Sequence, residues 1–556
     1  MAQHTSVDPT KRIQELTHLY GARDVSVAAL LCDGHNPHAI AYRVIDEDLS
    51  SVDVTYGELR EKSERLAAGF RSLGVKPGDR VATLMGKSVE YLVTLLAIWR
   101  LGAVHVPLFT AFAAPAVAVR LKGSAAKLVV SDGRQLSKLA QTEKMPEFPV
   151  RIVSTANQTG SGIVSFDELL SSHSSGMVPA ALGGEAPIIH IYTSGTTGIP
   201  KAVVVPARAI ASFRAYAEFG LGLRPDDTYW CAADPGWAYG LYLGVIGSLA
   251  TGIRSIFYRG GFSAEATIAI LRRDGVTNFA AAPTVYRAMM SAAIPAGGGL
   301  KLRCASSAGE PLTPEINEWA VSTLGAPVHD HYGQTEAGML INNHHHPALR
   351  RPLKVGSMGQ AMPGWRAVIL EEYRDELASV GTYGRVAFEV NESPLVWFSG
   401  YYDDPAKSAE RFAGNGRWYL TGDTGRVDED GYYYFSARDD DVIIMAGYRI
   451  GPLEVESVIL SHPDVLQCAV IGAPDVTRGE VLEAFVVLKT PDSAIAAKAV
   501  DIQQWVKKRY AAHAYPRVVH FVDDLPKTPS GKIQRAILRQ KRCSELLITS
   551  HLSSRK

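Results

Sequence analysis

Hydrophobic and polar residues alternate along this chain in two rhythms. From Thr55 the run TYGELREKSERLAAGFRSLGV places Leu59, Leu66, Phe70 and Leu73 at helical spacing. KPGDRVATLM then reads as a turn and a β-branched strand, and VEYLVTLLAIWRLGAVHVPL as a second helix and a strand closed by Pro107. The alternation continues through KLVVSD, APIIHIYTS, GIRSIFY and AIAILRRDGVTNFAAAP. Helix and strand in turn predict α/β layers with substantially parallel sheets. From about Gly356 the rhythm changes to short strands with glycine turns (GSMGQAMPGWRAVILEE, GRVAFEV, GRWYLTGDTGRVDEDGYYYFSAR), which predicts a smaller β-rich subdomain.

The hydrophilic run Arg438-Asp439-Asp440-Asp441 separates the strands YYYFSA and VIIMA, and a solvated loop accounts for its residue types as well as a border does. Beyond it, PLEVESVILSHPDVLQCAVIGAP, EAFVVLK and VDIQQWVKKRYA read as a compact α+β unit. The predicted organisation is a large N-terminal domain, residues 1–438, of layered α/β subdomains plus a β-rich subdomain, and a small α+β C-terminal domain, residues 439–556. A chain of 556 residues is too long for one core in any case.

Charge changes the picture by exclusion. With 57 basic and 57 acidic residues there is no basic excess for a nucleic-acid or membrane-surface binder. No run of about 18 apolar residues predicts a membrane span, and MAQHTSVDPTKR lacks the apolar core of a secretory signal. The five cysteines are scattered without CxxC or Cys/His spacing, which argues against zinc and predicts buried thiols in a reducing compartment, the cytoplasm.

Candidate chemistry begins at Thr193-Ser194-Gly195-Thr196-Thr197-Gly198-Ile199-Pro200-Lys201, directly after the apolar strand PIIHI and Tyr192. Two glycines allow a tight turn in which successive N–H groups face one anion, and four hydroxyls and a lysine add donors. The spacing is not that of a Walker A loop; a generic polar surface turn is the plain alternative. Gly309-Glu310-Pro311-Leu312 and Asp330-His331-Tyr332-Gly333-Gln334-Thr335-Glu336 each follow a strand. A tyrosine at a strand end offers a flat face to a purine, glycines admit close backbone approach, and a carboxylate such as Glu336 suits Mg²⁺ beside phosphate oxygens. Asp423, between Gly422 and Gly425, is able to accept two hydrogen bonds from a ribose diol or simply to cap its turn. Lys532, at the tip of PSGK, is a point charge suited to bridging a carboxylate and a phosphate, although a lone exposed lysine is commonly idle.

These motifs occur in one order: TYGEL, KPGDRV, GAVHVPL, YTSGTTGIPK, APTVYR, AGEPL, DHYGQTEAG, YLTGDTG, the RDDD break, GYRIGPLEVE and PKTPSGKIQR. In that order, over about residues 50 to 540, the chain resembles the adenylate-forming superfamily of acyl- and aryl-CoA synthetases, luciferases and peptide-synthetase adenylation domains, most closely the short- and medium-chain acyl-CoA synthetases. The resemblance implies ATP, Mg²⁺ and coenzyme A as cofactor and co-substrates, and a small carboxylic acid as substrate, handled by a monomer or homodimer in fatty acid metabolism. It implies that Tyr332 stacks on adenine with Glu310 and Pro311 at its border, and that Gly309, Asp330, His331, Gly333 and Gln334 complete that side. Thr335 approaches the α-phosphate, and Thr193 and Glu336 hold magnesium. Asp423 and Arg438 contact ribose or phosphate, and Lys532 serves adenylation. Asp440 is the implied hinge about which the C-terminal domain swings, bringing Gly447 and Arg449 to the pantetheine tunnel.

By the same resemblance the acyl pocket is Trp237, Ala238, Tyr239 and Gly240 with Gly333. Acetate-specific relatives carry tryptophan at the position of Gly333, so glycine there predicts an open pocket and an aliphatic acid longer than acetate. Asp234 lies near where amino-acid adenylating domains keep a carboxylate, but ADPGWAYG looks more like the acyl-CoA synthetase run. An aryl or other unusual acid, acyl transfer to a carrier-protein thiol, and a nucleotide-binding sensor without catalysis are the alternatives. His344-His345-His346 is expected to be a solvated loop tract rather than a metal site.

Overall fold

The computed structural model describes residues 7–142, 150–156, 162–193, 200–292, 299–310, 312–438, 441–445, 448–475, 479–490, 496–509, 514–527 and 533–553. The chain divides into two compact units, Met1–Ala367 with Phe388–Tyr419, and Val368–Ala387 with Leu420–Lys556.

The first unit is built on two sheets of the predicted kind. In one, the strands Ile40–Ile45, Ser255–Tyr258, Tyr229–Cys231, Asn278–Ala281, Cys304–Ala308 and Val328–Gln334 run parallel in that spatial order, with antiparallel strands Ser51–Thr55 at one edge and Gly338–Asn342 and Gln360–Ala361 at the other. In the other, Ile163–Ser165, Arg151–Ser154, Leu128–Ser131, Arg80–Leu84, Val104–Pro107 and Pro187–Thr193 are parallel, and Lys201–Pro206 closes the edge antiparallel. Parallel strands need crossovers, and helices such as Val89–Arg100 and Ala264–Arg273 supply them, while Tyr56–Ser72 links one sheet to the other.

Local chemistry sets these helices. Thr55 accepts from the Glu58 N–H while the Glu58 carboxylate accepts from the Thr55 N–H, a capping box that starts Tyr56–Ser72. Leu59, Leu66 and Phe70 on that helix are fully buried, as the periodicity requires. Val89–Arg100, capped by Ser88, is apolar nearly all round and is buried from Tyr91 to Arg100.

The β-rich segment, with strands Ala367–Leu370, Gly384–Glu389, Trp418–Val427 and Tyr433–Arg438 in neighbouring order, lies mostly in the second unit. That unit also carries an α+β layer in which Ile443–Met445, Val465–Asp475, Gly479–Leu488 and Val518–Phe521 share a sheet covered by helices Pro452–Leu460 and Ala496–Arg509. Ile443, Val455, Val470, Leu482, Val486 and Val506 form its core. Among the described residues no helix is long and apolar enough to cross a membrane.

Candidate active site

The candidate phosphate edge of the first unit lies where two antiparallel strands meet. Thr193 ends Pro187–Thr193 and pairs with Lys201, the first residue of Lys201–Pro206. Ser194, Gly195, Thr196, Thr197 and Gly198 lie outside the described residues. The Lys201 ammonium stands 5.3 Å from the centre of the Tyr401 ring, and Tyr401 bridges to Val203 of the same strand. Tyr401 donates a 2.8 Å hydrogen bond to Glu336 Oε1 and accepts one of 2.9 Å from Arg411 Nε. Arg411 also stands 3.7 Å from the same carboxylate oxygen. Glu336 is 7% exposed, and its second oxygen takes no hydrogen bond among the described residues. A carboxylate oxygen left open is the kind of hard oxygen donor that Mg²⁺ takes. Sequence reasoning missed Tyr401 and Arg411, because nothing in SGYYDDPAKSAERF ties them by spacing to GQTE.

Parallel pairing of Cys304–Ala308 with Val328–Gln334 sets Ala308 beside His331, so the AGE and HYGQTE segments emerge at the same sheet end. Gly309 holds φ +100°, a conformation that costs a side-chain-bearing residue strain. Glu310 is ion-paired with Arg287 at 2.7 Å, and Pro311 lies outside the described residues. Burial pushes the Asp330 carboxyl up to about 7, against weak relief from the Leu312 N–H at 3.4 Å. Gln334 Oε1 accepts from the Tyr419 hydroxyl at 3.0 Å, and the Thr335 carbonyl from the Tyr242 hydroxyl at 3.0 Å. Gly333 sits at a register shift between Val328–Gln334 and Gly338–Asn342. A Cβ there would meet the Gly338 carbonyl and lie 2.6 Å from Met339 Sδ. The space beside Gly333 is therefore filled by its own neighbouring strand, and close backbone packing rather than an open pocket accounts for the glycine.

In the segment expected to form the acyl pocket, Trp237 leads into the short helix Ala238–Leu241, its ring 5.1 Å from Phe109 and 5.7 Å from Phe112. Gly240 is dictated by the Asp234 carbonyl, into which a Cβ would run. Asp234 caps its own turn by accepting the Gly236 N–H at 2.7 Å, and Lys87 donates to the Ala232 carbonyl at 2.9 Å nearby. Burial raises the Asp234 carboxyl against the attraction of Lys87. Tyr239 Oη lies 3.1 Å from Tyr216 Oη, which lies 2.6 Å from His331 Nδ1. His331, expected beside the nucleotide, is 2% exposed, and its other ring nitrogen reaches the Asn343 carbonyl at 3.0 Å.

The histidine tract corrects the expectation of a solvated loop. His344 and His345 are buried, because the N–H groups of His345 and His346 bond to the Gly220 and Phe219 carbonyls and draw the segment inward. His345 stacks on His329 with centroids 3.7 Å apart. Ring nitrogens of His329, His331 and His345 lie within 4.8 Å of one another. Two parallel stacked rings, however, point their lone pairs side by side instead of at one ion, and both nitrogens of His331 are already engaged. The group is a hydrogen-bonded part of the core.

In the second unit Asp423 and Arg438 are cross-strand partners, with Asp423 7% exposed and Arg438 exposed. The Asp423 N–H donates to Thr421 Oγ1, whose hydroxyl donates to the Val386 carbonyl. Arg449 lies on the strand Tyr448–Ile450, paired with Ile443–Met445. Asp440, Gly447 and Lys532 lie outside the described residues.

Comparison with known proteins gives this arrangement a family. Acetyl-coenzyme A synthetase of Bacillus subtilis is 35% identical over 491 residues, covering 87% of this chain and 84% of that one. The crystal structure of an acyl-CoA synthetase of Brucella canis is 41% identical with a TM-score of 0.74, covering 97% and 98% of the two chains. That of a benzoate CoA ligase from Burkholderia xenovorans is 29% identical with a TM-score of 0.81, covering 93% and 100%. Residues 33–402 match the family described as AMP-binding enzyme and residues 454–532 its C-terminal domain, so the chain belongs to the AMP-binding, adenylate-forming enzymes.

Proposed function

We propose that the chain is an AMP-forming acyl-CoA synthetase, an acid–thiol ligase that activates a short-to-medium-chain carboxylic acid as acyl-AMP and passes the acyl group to coenzyme A. The observation that carries this reading is the meeting of Lys201 and Glu336 at Tyr401, with Thr193 the strand partner of Lys201. Its nearest support outside the chain is the naming of its relatives as acyl- and acetyl-CoA synthetases.

A substrate carboxylate oxygen attacks the α-phosphorus of ATP in line, the bond to pyrophosphate breaks, and a mixed anhydride remains. The coenzyme A thiolate then attacks the acyl carbon and AMP leaves. Two anions must meet in the first step, so Lys201 and Lys532 neutralise charge where it concentrates. Thr335 approaches the α-phosphate, Asp423 receives the ribose diol, and Arg438 faces phosphate or ribose. Thr193 and Glu336 would hold Mg²⁺, which when bound neutralises phosphate charge. Residues 439–556 act as a mobile domain turning at Asp440, which withdraws Lys532 after adenylation and brings Gly447 and Arg449 to the pantetheine arm. Four buried free thiols, Cys32, Cys231, Cys304 and Cys468, suit a reducing compartment such as the cytoplasm.

Asp234, committed to its own turn and faced by Lys87, supports a carboxylic rather than an amino acid substrate. The aromatic wall of Phe109, Phe112 and Trp237 favours a second reading in which the acid is aromatic. Pyrophosphate release across acetate to dodecanoate, benzoate and phenylacetate, with and without coenzyme A, separates the two. A peak between propionate and octanoate that needs coenzyme A for turnover supports the first reading, and a peak at benzoate or phenylacetate the second. Silence with every acid would overturn both.

A further inference from the structure

An unbroken hydrogen-bond chain runs from the candidate acyl pocket into the core, and its polarity is set at the buried end. The Asn343 carbonyl receives both His329 Nδ1, at 2.7 Å, and His331 Nε2, at 3.0 Å. A carbonyl only accepts, so each of those nitrogens carries a proton. Asn343 is itself anchored, its N–H and its Nδ2 donating to the Asp330 carbonyl and the Nδ2 also to the Ser357 carbonyl. His331 is 2% exposed, and burial together with the neighbouring His329 holds it neutral.

A neutral imidazole has one proton, and His331 has placed it on Nε2. Its Nδ1 is therefore a bare lone pair, and the Tyr216 hydroxyl, 2.6 Å away, must donate to it. Tyr216 is then left with lone pairs only. The Tyr239 hydroxyl, 3.1 Å from Tyr216 Oη, must spend its own proton there. Each link forces the next, and the last atom in the series, Tyr239 Oη, keeps lone pairs and no free proton. Tyr239 is partly exposed and stands two residues after Trp237, on the segment assigned to the acyl pocket.

We propose that Tyr239 presents a hydrogen-bond acceptor to the acyl pocket, and that the acid this enzyme prefers carries a neutral hydrogen-bond donor, above all a hydroxyl, on its chain or ring. The inference rests on the reading of the chain as an acid-activating ligase with its pocket at Trp237–Gly240. The discrimination is physical. A hydroxyl meets the Tyr239 oxygen with its proton, whereas a carbonyl of the same size brings lone pairs to lone pairs and an alkyl chain excludes water from the acceptor without pairing it.

The measurement is kcat/KM for pyrophosphate release with size-matched acids: hexanoate, the 3- to 6-hydroxyhexanoates and the matching oxohexanoates, then benzoate and its hydroxy derivatives. At least one hydroxy acid is expected to exceed both its oxo and its unsubstituted counterparts by about 10-fold or more. Tyr216→Phe removes the acceptor that holds the Tyr239 proton and frees Tyr239 to donate, so the hydroxy-to-oxo ratio should fall about 10-fold or invert. Tyr239→Phe should bring that ratio close to one. Ratios are taken within each protein, so a general loss of activity cancels, and the wild-type panel decides even where a variant fails to fold. Turnover without a hydroxy preference, or with an oxo preference, overturns the inference and leaves the ligase reading standing. Silence with every acid overturns the ligase reading and this inference with it.

Discussion

Tyr401 Oη and Glu336 Oε1 are 2.8 Å apart, and Arg411 closes on both from the far side. The contact fixes which oxygen of Glu336 is engaged and which stays open, and it ties that carboxylate to the strand that begins at Lys201. Groups that orient a metal-binding carboxylate act on affinity without touching the ion. Tyr401→Phe is accordingly expected to raise the Mg²⁺ concentration for half-maximal pyrophosphate release by about 10-fold or more. An unchanged Mg²⁺ dependence would show that Tyr401 does not position Glu336.

Asp330 carries a pH signature. Its folded-state carboxyl titrates near 7, raised by burial from the ordinary carboxylate range. The folded protein therefore keeps a proton that the unfolded chain has released above about pH 4. That contribution to stability is present at low pH and is lost as pH rises through 7. Asp330→Asn removes the titration, so thermal unfolding of wild type relative to the variant should worsen from pH 5 to pH 8. A gap that stays constant with pH would remove the assignment.

Gly333→Ala probes packing at the strand register shift. The new methyl group meets the Gly338 carbonyl and Met339 Sδ, so a loss of about 1–3 kcal/mol is expected in urea unfolding. A midpoint like that of the wild type would mean that the space is open after all.

Arg100 is fully buried and grips Asp33 through two hydrogen bonds, of 2.9 and 2.6 Å. Asp33→Ala leaves that guanidinium without its main partner and should cost about 3–5 kcal/mol. Replacing both residues with apolar ones of similar size should cost much less. Equal losses in the two proteins would show that the unpaired charge is not the cause.

Lys532→Ala addresses the C-terminal domain. Overall ligation should fall about 10²-fold or more, as when one charge-stabilising group is lost. Thioester formation from supplied acyl-adenylate should persist. Unimpaired overall ligation would remove Lys532 from adenylation.

Much of the fold was legible because its signals are local. The Thr55 capping box, the helical spacing of Leu59, Leu66 and Phe70, and the β-branched run Arg80–Leu84 each lie within a few residues of the element they specify. The order of motifs likewise singled out Thr193, Lys201 and Glu336, of which the fold brings Lys201 and Glu336 to Tyr401. Two readings did not survive contact with the fold. His344 and His345, polar and consecutive, read as solvated, yet backbone bonds to Gly220 and Phe219 bury them. Gly333 read as open space, yet a strand five residues further on fills it.

The sequence by itself determined the alternation of helix and strand, the β-rich and α+β segments after Gly356, and the residue types at the strand ends. These depend on periodicity, capping and turn chemistry between near neighbours. Only the tertiary structure decided that Tyr401 serves Glu336 across 65 residues, and that Tyr216 links Tyr239 to His331 across 115. Such pairs arise where separate strands and helices end side by side, and no rhythm along one segment encodes which other segment lies beside it. The polarity of the Tyr239 hydroxyl belongs to this second kind, because a carbonyl at Asn343, remote in the chain, determines it.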